Sequence, residues 1–588
     1  MSSETKEKLR AELVKYFENM LDENHLEECV RICEMFNLSG EDLRYKWEAM
    51  KLGKKAFLFT MDDIPDLKAE CQKDLLAKAN REKPKTRGTL SGPLSKTFGS
   101  PFPKGGFRPG AMLNRGTPVK RQDGFAVATA GESRKGPVAG PSGVRFSGPG
   151  IDDEASRSRN YRYMYEKVSD RSAALDSRVD EMGELVRLHY NIEDLGDPSA
   201  STEEEVVVVG RITLDSESSA GSVKLNEASL TLESSRQIGA GARVPLRFDP
   251  NVKVRQGKQG AGGAGLFPGA IAAFRGKNGG GGSFLVTEIL SLPPLHPTSA
   301  GSIKTESTEP FGVCVACGPY TPDTDMQFNQ WQKLLAKLKT DRPAVVILIG
   351  PFIDDAHPAV KNGDVDETPA DIFRTVVLAS LTEFLGSSPD SQILIVPSVR
   401  DMISDHAVFP QGELSHEFAI YPRIRVLPNP CRFSLNDVTF GVTSVDVLFH
   451  LRKEEFFKRA QEVEPVAPSG GDAAGSDTMV NTCRHLLQQR SFYPIFPVPL
   501  DLSHEVNLDV THMERLNLDI DGANTNEAPD VLILPSRLKH FSKVVDSTIA
   551  INPSFLTKLT YASLVCSSHE SGSSVGDRIK AEIVRLDP

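Results

Sequence analysis

Three uninterrupted apolar runs in the C-terminal half of the sequence place the strongest constraint on the fold. They are AVVILIG at residues 344–350, ILIVPS at 393–398 and VLILPS at 531–536. A strand that is apolar on both faces must be buried on both, as in parallel sheets that carry helices on each side. Helical periodicity at 326–338 and 371–385 supplies such helices between the strands. Residues 301–588 are therefore predicted to form an α/β domain.

A second set of shorter strand-like runs precedes that domain. Each run is flanked by turn-forming residues. The runs lie at 205–209, 212–214, 229–232, 244–248, 270–274 and 284–290. In front of them, Leu175, Val179, Met182 and Val186 recur at helical spacing. Short strands in this number favour a small barrel, so residues 158–300 are predicted to hold a helix followed by a barrel domain.

The N-terminal residues 1–80 show the period of amphipathic helices. Apolar side chains recur every three or four positions, at Leu9, Leu13, Phe17 and Leu21. Ser39 with Asp42, and Thr60 with Asp63, have the spacing of capping boxes at the start of two further helices. This segment is predicted to be a small helical domain that docks other proteins.

Between these regions, residues 81–157 are predicted to be a disordered basic linker. In residues 81–150 about one residue in three is Gly or Pro, and 13 Lys or Arg stand against three Asp or Glu. Ser100 and Thr117 each precede a proline, so both are candidate phosphorylation sites of a phosphoprotein. Phosphate would add nearly two negative charges to this basic segment. The linker is interpreted as a tether with a regulatory role.

The composition excludes several classes of protein. The formal net charge of -11 does not suit a molecule that binds nucleic acid over its whole surface. No stretch approaches the roughly 20 apolar residues that span a bilayer, and the first residues lack the apolar centre of a signal peptide. Eight cysteines are spread along the chain without the paired framework of a disulfide-bonded protein. We therefore expect an intracellular protein with buried free thiols.

Motifs that suggest a cofactor do not have the required context. RQGKQGAGGAG at 255–265 and GKNGGGG at 276–282 lack both the GxxxxGK[ST] order and a following helix, so they are predicted to be flexible hairpin insertions. Cys314 and Cys317 form a single CxxC without a second pair, which favours packing over zinc. No GxSxG elbow frames a nucleophile. No cofactor is expected.

Four segments at predicted strand ends resemble the metal-binding loops of calcineurin-like phosphoesterases. They are ACGPYT, LIGPFIDD, VPSVRD and LPSRLKH, in the order of that family. The family binds two metals through Asp, His and Asn side chains. The corresponding positions here are Cys317, Gly318, Pro319, Pro351, Asp354, Pro397, Ser398, Asp401, Pro535 and Ser536. The resemblance implies an inactive phosphoesterase domain, because the remaining carboxylates do not make a two-metal site.

Longer segments resemble the B subunits of DNA polymerase alpha. They are VACGPYT, DRPAVVILIGPFIDDAH, NPCRFSLNDVTFGVTSVDVLFHL and QRSFYPIFP. The barrel segment LFPGAIAAFRG resembles the OB domain that precedes the phosphoesterase domain in such subunits. The implied fold class is multidomain α+β: an N-terminal helical domain, a disordered basic linker, an OB-fold barrel and an inactive calcineurin-like phosphoesterase domain.

The resemblance also implies a function. A family member is a non-catalytic scaffold of the polymerase alpha–primase complex in the nucleus, and it supports initiation of DNA replication. It binds the C-terminal domain of the catalytic subunit, connects to the primase heterodimer through that subunit, and contacts other replisome proteins through its N-terminal domain. DNA binding is expected to be mainly indirect.

Some alternatives stay open at this point. Phe492, Tyr493, Pro494 and Phe496 are either exposed anchors for a partner or core residues of the domain. Three other interpretations of the whole chain remain: a B subunit of polymerase delta or epsilon, an active metallophosphoesterase with unusual ligands, and a single-stranded DNA binder. The barrel strands contain few aromatic residues on which bases could stack, which argues against the single-stranded DNA binder.

Overall fold

The structure is a computed structural model. It describes residues 143–149, 165, 167–214, 224–280, 282–298, 309–419, 421–468, 472, 475–518, 526–567 and 574–587, with parts of 9–68. The chain divides into two compact units, residues 1–128 and 129–588. The predicted phosphorylation sites Ser100 and Thr117 lie outside the described residues.

The N-terminal unit contains two described helices. They are α1 (Glu23–Phe36) and α2 (Gly40–Lys51). Leu9, Leu13 and Phe17, which recur at helical spacing in the sequence, are buried in one apolar cluster with Trp47. The rings of Phe17 and Trp47 lie 5.8 Å apart. Leu21, Thr60 and Asp63 lie outside the described residues, so the predicted domain bounds and the second cap stay predictions.

The second unit begins with a short strand and a barrel. Its elements are β1 (Phe146–Ser147), α3 (Val168–His189), β2 (Val206–Leu214), β3 (Leu230–Glu233), α4 (Arg236–Gly239), β4 (Arg243–Arg255), β5 (Gly263–Leu266), β6 (Ile271–Lys277), β7 (Phe284–Leu290) and β8 (His296–Pro297). Five strands pair in the order β4–β3–β2–β6–β7, and β7 pairs back onto β4, which closes the barrel. The buried positions Val179, Met182 and Val186 of α3 pack on its outside.

The barrel differs from the sequence prediction at two places. The two runs predicted at 205–209 and 212–214 belong to one strand, β2, which pairs without a break with β6 from Val206 to Arg211 and with β3 from Arg211 to Leu214. The glycine-rich segment 255–265 is not a flexible hairpin. The amides of Gly260 and Gly262 donate to the carboxylate of Glu462 at 3.2 and 2.8 Å.

The remaining elements build the α/β body. They are β9 (Phe311–Cys317), α5 (Asn329–Asp341), β10 (Val345–Ile349), α6 (Pro358–Asn362), α7 (Pro369–Ile372), a π-helix (Phe373–Leu378), α8 (Ala379–Ser387), β11 (Gln392–Val396), β12 (Ile424–Val426), β13 (Cys431–Leu435), β14 (Val438–Val442), α9 (Val447–Glu454), β15 (Phe456–Arg459), β16 (Gln461–Val463), α10 (Thr478–Gln488), β17 (Glu527–Ala528), β18 (Val531–Ile533), β19 (Phe541–Val545), β20 (Thr548–Asn552), β21 (Thr560–Cys566), α11 (Val575–Arg578) and β22 (Ile579–Arg585). Short 3-10 helices are His416–Phe418, Leu500–Glu505, Val510–Leu516 and Leu556–Lys558.

Two six-stranded sheets form the centre of this body. The first has the order β12–β11–β10–β9–β21–β22, with β9 to β12 parallel, and the second has the order β1–β13–β14–β18–β20–β19. Their facing side chains, such as Ile347 and Phe433, share one apolar cluster. The other face of the first sheet packs under α5 and the π-helix through Trp331 and Phe373. The predicted burial of the apolar strands on both faces is therefore confirmed.

The barrel and the α/β body share a core. One cluster contains Phe274 of β6, Leu486 of α10 and Leu532 of β18. The chain after α9 returns to the barrel, where β15 pairs with β5 and β16 pairs with β4. Barrel and body are therefore held together by side-chain packing as well as by backbone pairing. Among the described helices, none combines the length and apolar character needed to cross a membrane.

Candidate functional site

The α/β body has a cleft at the carboxyl ends of β9, β10 and β11. Its volume is about 650 Å³. Ends of parallel strands meet at one edge of a sheet, which is where α/β proteins commonly bind ligands. Charged residues from at least five segments line the cleft, among them Asp354, Arg400, Asp446, Glu505 and Arg537.

The backbones of the strand-end loops lie close together at the base of the cleft. The amides of Gly318 and Gly350 donate to the carbonyls of Ile349 and Val396, both at 2.8 Å. A Cβ added at Gly318 would collide with the carbonyl oxygen of Pro351. The loop after β9 therefore accepts only glycine at position 318 unless the neighbouring loop moves.

Arg400 holds the first cleft carboxylate. Its guanidinium donates to both oxygens of Asp354, with Nε 3.1 Å from Oδ1, and Asp354 also accepts from the amide of Ala356 at 2.9 Å. The side chain of Asp354 is 7% exposed. Burial raises the pKa of Asp354, and the bidentate guanidinium opposes that rise. Both oxygens of this carboxylate are thus occupied by a protein cation.

Arg537 holds two further carboxylates on the opposite wall. Its Nε and its amide donate to Oδ2 of Asp446 at 3.0 and 2.9 Å, and its Nη2 donates to Glu505. Asp446 also accepts from the amide of Phe449 at 3.1 Å, which caps α9. Burial raises the pKa of Glu505, but His450 and Arg537 lower it to about 2. The carboxylate is therefore ionised and paired at neutral pH.

Asp401 lies beneath the cleft and connects two of its loops. The carboxylate accepts from the amides of Phe352, Ile353 and Ser398, the last two at 3.3 and 2.9 Å. Complete burial raises the pKa of Asp401 to about 7 against these donors. This side chain fixes the loops that follow β10 and β11.

The donor set does not match a metal centre. Within the described residues, no group of three or more His, Cys, Asp or Glu side chains is arranged to hold a metal ion. Cys314 and Cys317 are both buried, and burial raises the pKa of both thiols. The Cys317 thiol donates to the carbonyl of Gly350 at 3.6 Å, so the CxxC pair packs the strand end as the sequence predicted.

Comparisons with known proteins agree with the division into barrel and α/β body. The profile for the OB domain of the DNA polymerase alpha B subunit matches residues 172–292. The profile for the B subunit of DNA polymerase alpha/epsilon matches residues 313–543. A crystal structure of a Thermus thermophilus protein aligns with 47% of this chain and 99% of its own length at 12% identity, with a TM-score of 0.22, which is below the level that indicates a shared fold.

Three curated relatives align with 69% to 82% of this chain. The DNA polymerase alpha B subunit of Schizosaccharomyces pombe is 34% identical over 452 residues, which are 73% of this chain and 73% of the relative. The chain belongs to the family of DNA polymerase alpha B subunits. The family's Saccharomyces cerevisiae member is 30% identical over 69% of this chain and 59% of its own length. The Mus musculus member is 28% identical over 82% and 75%.

This membership confirms the resemblance stated from the sequence segments. It also confirms an OB domain in the residues predicted to form a barrel. The family consists of accessory subunits of a polymerase that serves DNA replication, so the alternative of a delta or epsilon subunit is not supported by the named relatives.

Family membership does not assign roles to single residues, but the structure shows where the predicted positions lie. Those that line the cleft are Cys317, Gly318, Pro319, Pro351, Asp354 and Ser398. Pro397, Pro535 and Ser536 are buried at the adjoining strand ends, and the amide of Ser536 donates to Asn552 at 3.0 Å. The four segments therefore meet in space, although their ancestral role stays a prediction.

The interpretation of Phe492, Tyr493 and Pro494 as exposed anchors is wrong. All three are buried, and Phe496 is partly buried. The hydroxyl of Tyr493 pairs with Nδ1 of His450 at 3.0 Å, and the amide of Phe496 donates to the carbonyl of Pro268 at 3.1 Å.

These aromatic residues connect the barrel to the body. We call residues 492–496 the joint, because they lie in the apolar core that barrel and body share and Phe496 contacts the barrel directly. Phe492, Tyr493 and Ile495 belong to the same apolar cluster as the barrel core. Arg211 of β2 lies over the Phe496 ring at 5.0 Å. The core alternative is therefore the correct one for the buried members.

Sequence reasoning missed Arg400, Arg537, Asp446 and Glu505. A signal was present, because an arginine follows a Pro-Ser pair at the ends of two apolar strands, as PSVR at 397–400 and PSR at 535–537. Asp446 and Glu505 had no comparable signal. They come from α9 and from a 3-10 helix whose position depends on the tertiary fold.

Proposed function

We propose that this chain is a non-catalytic accessory subunit of the DNA polymerase alpha–primase complex. It binds the C-terminal domain of the catalytic subunit, and primase is attached through that subunit. The observation that carries the proposal is the pairing of Arg400 and Arg537 with the cleft carboxylates. A guanidinium and a metal ion compete for the same carboxylate lone pairs.

The side chains at the strand ends support the absence of hydrolytic chemistry. A two-metal phosphoesterase needs several anionic and imidazole ligands around ions roughly 3.5–4 Å apart. In this cleft the corresponding loops carry Pro351 and Pro397, whose side chains have no donor atom. Asp354, the carboxylate at a family ligand position in the cleft, is already bonded through both oxygens. We infer an inactive calcineurin-like phosphoesterase domain.

The shared core of barrel and body supports a role as a binding platform. A surface whose parts are fixed before binding loses little conformational entropy when a partner docks. The joint and the β15–β5 and β16–β4 pairs fix the two parts in this way. The N-terminal helices would contact other replisome proteins. A nuclear location follows from the role in replication.

Light scattering after size-exclusion chromatography tests the proposal. The full chain is mixed with the polymerase alpha catalytic subunit of the same organism, and a stable one-to-one complex is expected. The control is a catalytic subunit without its C-terminal domain, which should elute separately. Two separate peaks with the complete subunit, or a complex that survives the deletion, would contradict the proposed partner surface.

A further inference from the structure

A short strand in the predicted linker is built into the α/β body. Residues 143–149 lie within the predicted disordered segment 81–157, yet β1 pairs antiparallel with β13, with Phe146 opposite Leu435 and Ser147 opposite Ser434. We call residues 143–149 the latch. Its position corrects the prediction of a linker that is disordered throughout.

The latch covers a place where the two sheets would otherwise be open. β12 is the edge strand of the first sheet, and β13 would be the edge strand of the second sheet without β1. Unpaired edge strands are ready templates for another strand. We call the line between β12 and β13 the seam. The latch contacts both sides of it.

Apolar side chains of the latch point into the seam. Val144 and Phe146 are 3% and 6% exposed, and both belong to the cluster between the two sheets. The Phe146 ring lies 5.6 Å from the ring of Phe433 in β13. The guanidinium of Arg425 in β12 lies 5.0 Å from the Phe146 ring centre. The aromatic side chain is therefore held from both sheets.

Hydrogen bonds fix the register of the latch. Asn436 in the β13–β14 turn accepts from the amide of Arg145 through Oδ1, and its own amide donates to the Arg145 carbonyl, both at 2.8 Å. The side-chain amide of Gln392, at the start of β11, donates to the carbonyl of Val144 at 3.1 Å. Backbone recognition of this kind is how an added strand binds a sheet edge.

The sequence GVRFSG fits this place residue by residue. Gly143 has a φ of 67°, which favours glycine. Val144 and Phe146 alternate with Arg145 and Ser147, as expected for one buried face of a strand. A Cβ added at Gly148 would lie 2.5 Å from Cβ of Phe433.

We propose that the seam is a peptide-docking groove that the chain occupies with its own latch. The groove takes a short strand of the pattern Gly-apolar-x-aromatic-small-Gly by β-augmentation. Everything before residue 143 is then attached to the body at the seam, rather than at the start of α3. This inference does not depend on the proposed replication function.

Hydrogen exchange of the full chain tests whether the latch occupies the seam. Phe146→Ala removes the buried ring, and Gly148→Val introduces the collision with Phe433, so both act on the latch and leave the groove unchanged. We expect the Asn436 amide to exchange on the order of tenfold faster in both variants. Ser147→Ala, at an exposed position, is the matched control and should leave that rate unchanged. Unchanged exchange in both latch variants would overturn the proposal.

A peptide-binding measurement tests whether the seam is a groove. A fluorescent peptide with the sequence GVRFSG should bind the Gly148→Val chain saturably, and at least about tenfold more tightly than the parent chain, whose groove is occupied. The same peptide carrying Phe146→Ala should not bind. Equal binding to parent and variant, or no binding to the variant, would refute a vacated groove. Thermal unfolding of both variants confirms that the body remains folded.

Discussion

The joint and the cleft use opposite physical means to organise the same α/β body. The joint is closed and apolar, with Phe492, Tyr493 and Ile495 fully buried. The cleft is open and charged, and Arg400 and Arg537 pair its carboxylates. Packing in the joint depends on side-chain volume, whereas the cleft depends on charges that each need a partner. We therefore expect the loss of one joint side chain to lower the free energy of unfolding more than the loss of one cleft charge.

The largest effect is expected in the joint. Phe492→Ala should lower the free energy of unfolding by about 3–5 kcal/mol, because it leaves a cavity in the apolar core that barrel and body share. Chemical denaturation measures this value. Leu500→Ala is the matched control, since Leu500 is 77% exposed and its loss should change stability by less than about 0.5 kcal/mol. Equal effects of both variants would remove the distinction between joint and surface.

A smaller effect is expected when one cleft charge loses its partner. Arg400→Ala leaves the mostly buried carboxylate of Asp354 unpaired and should cost about 1–3 kcal/mol. Combining Arg400→Ala with Asp354→Asn removes the unpaired charge as well, so the double variant should be more stable than Arg400→Ala alone. Denaturation of the parent, both single variants and the double variant measures this coupling. Strictly additive effects would show that the pair does not hold the cleft.

A pH-dependent effect is expected from the buried carboxyl of Asp401. Its pKa rises from 3.8 to about 7 on folding. A raised pKa favours the protonated folded form, so this contribution to stability is complete below about pH 3.8 and is lost as pH rises to about 7. Unfolding free energies between pH 4 and pH 8 should therefore show a falling component that Asp401→Asn removes. Parallel pH profiles of parent and variant would contradict this assignment.

The sequence predicted those parts of the fold that depend on local patterns. Continuous apolar runs identified β10, β11 and β18, and the order of the strand-end segments identified the loops that meet at the cleft. The aromatic cluster of the joint was ambiguous, because a partner anchor and a core residue have the same composition. Burial of Phe492 and Tyr493, with the backbone of residues 494–496 against Pro268 and Gly269, identifies them as core residues.

Other features depend on partners that are distant in the sequence. The glycine-rich segment 255–265 is ordered by Glu462, and Lys258 within it pairs with Asp472 and Asp546 at 2.5 and 3.0 Å. The latch is ordered by β13, which follows it by almost 300 residues. Composition alone predicted flexibility in both cases, because it contains no information on these contacts.

Metal titration tests most directly the central claim that arginines, rather than metal ions, hold the cleft carboxylates. Calorimetry with Mn²⁺ is performed on the full chain, together with hydrolysis of bis-p-nitrophenyl phosphate. We predict no saturable heat and no metal-dependent hydrolysis in the parent chain. Saturable binding of two ions, with hydrolysis that Asp354→Asn abolishes, would contradict the account and identify an active phosphoesterase.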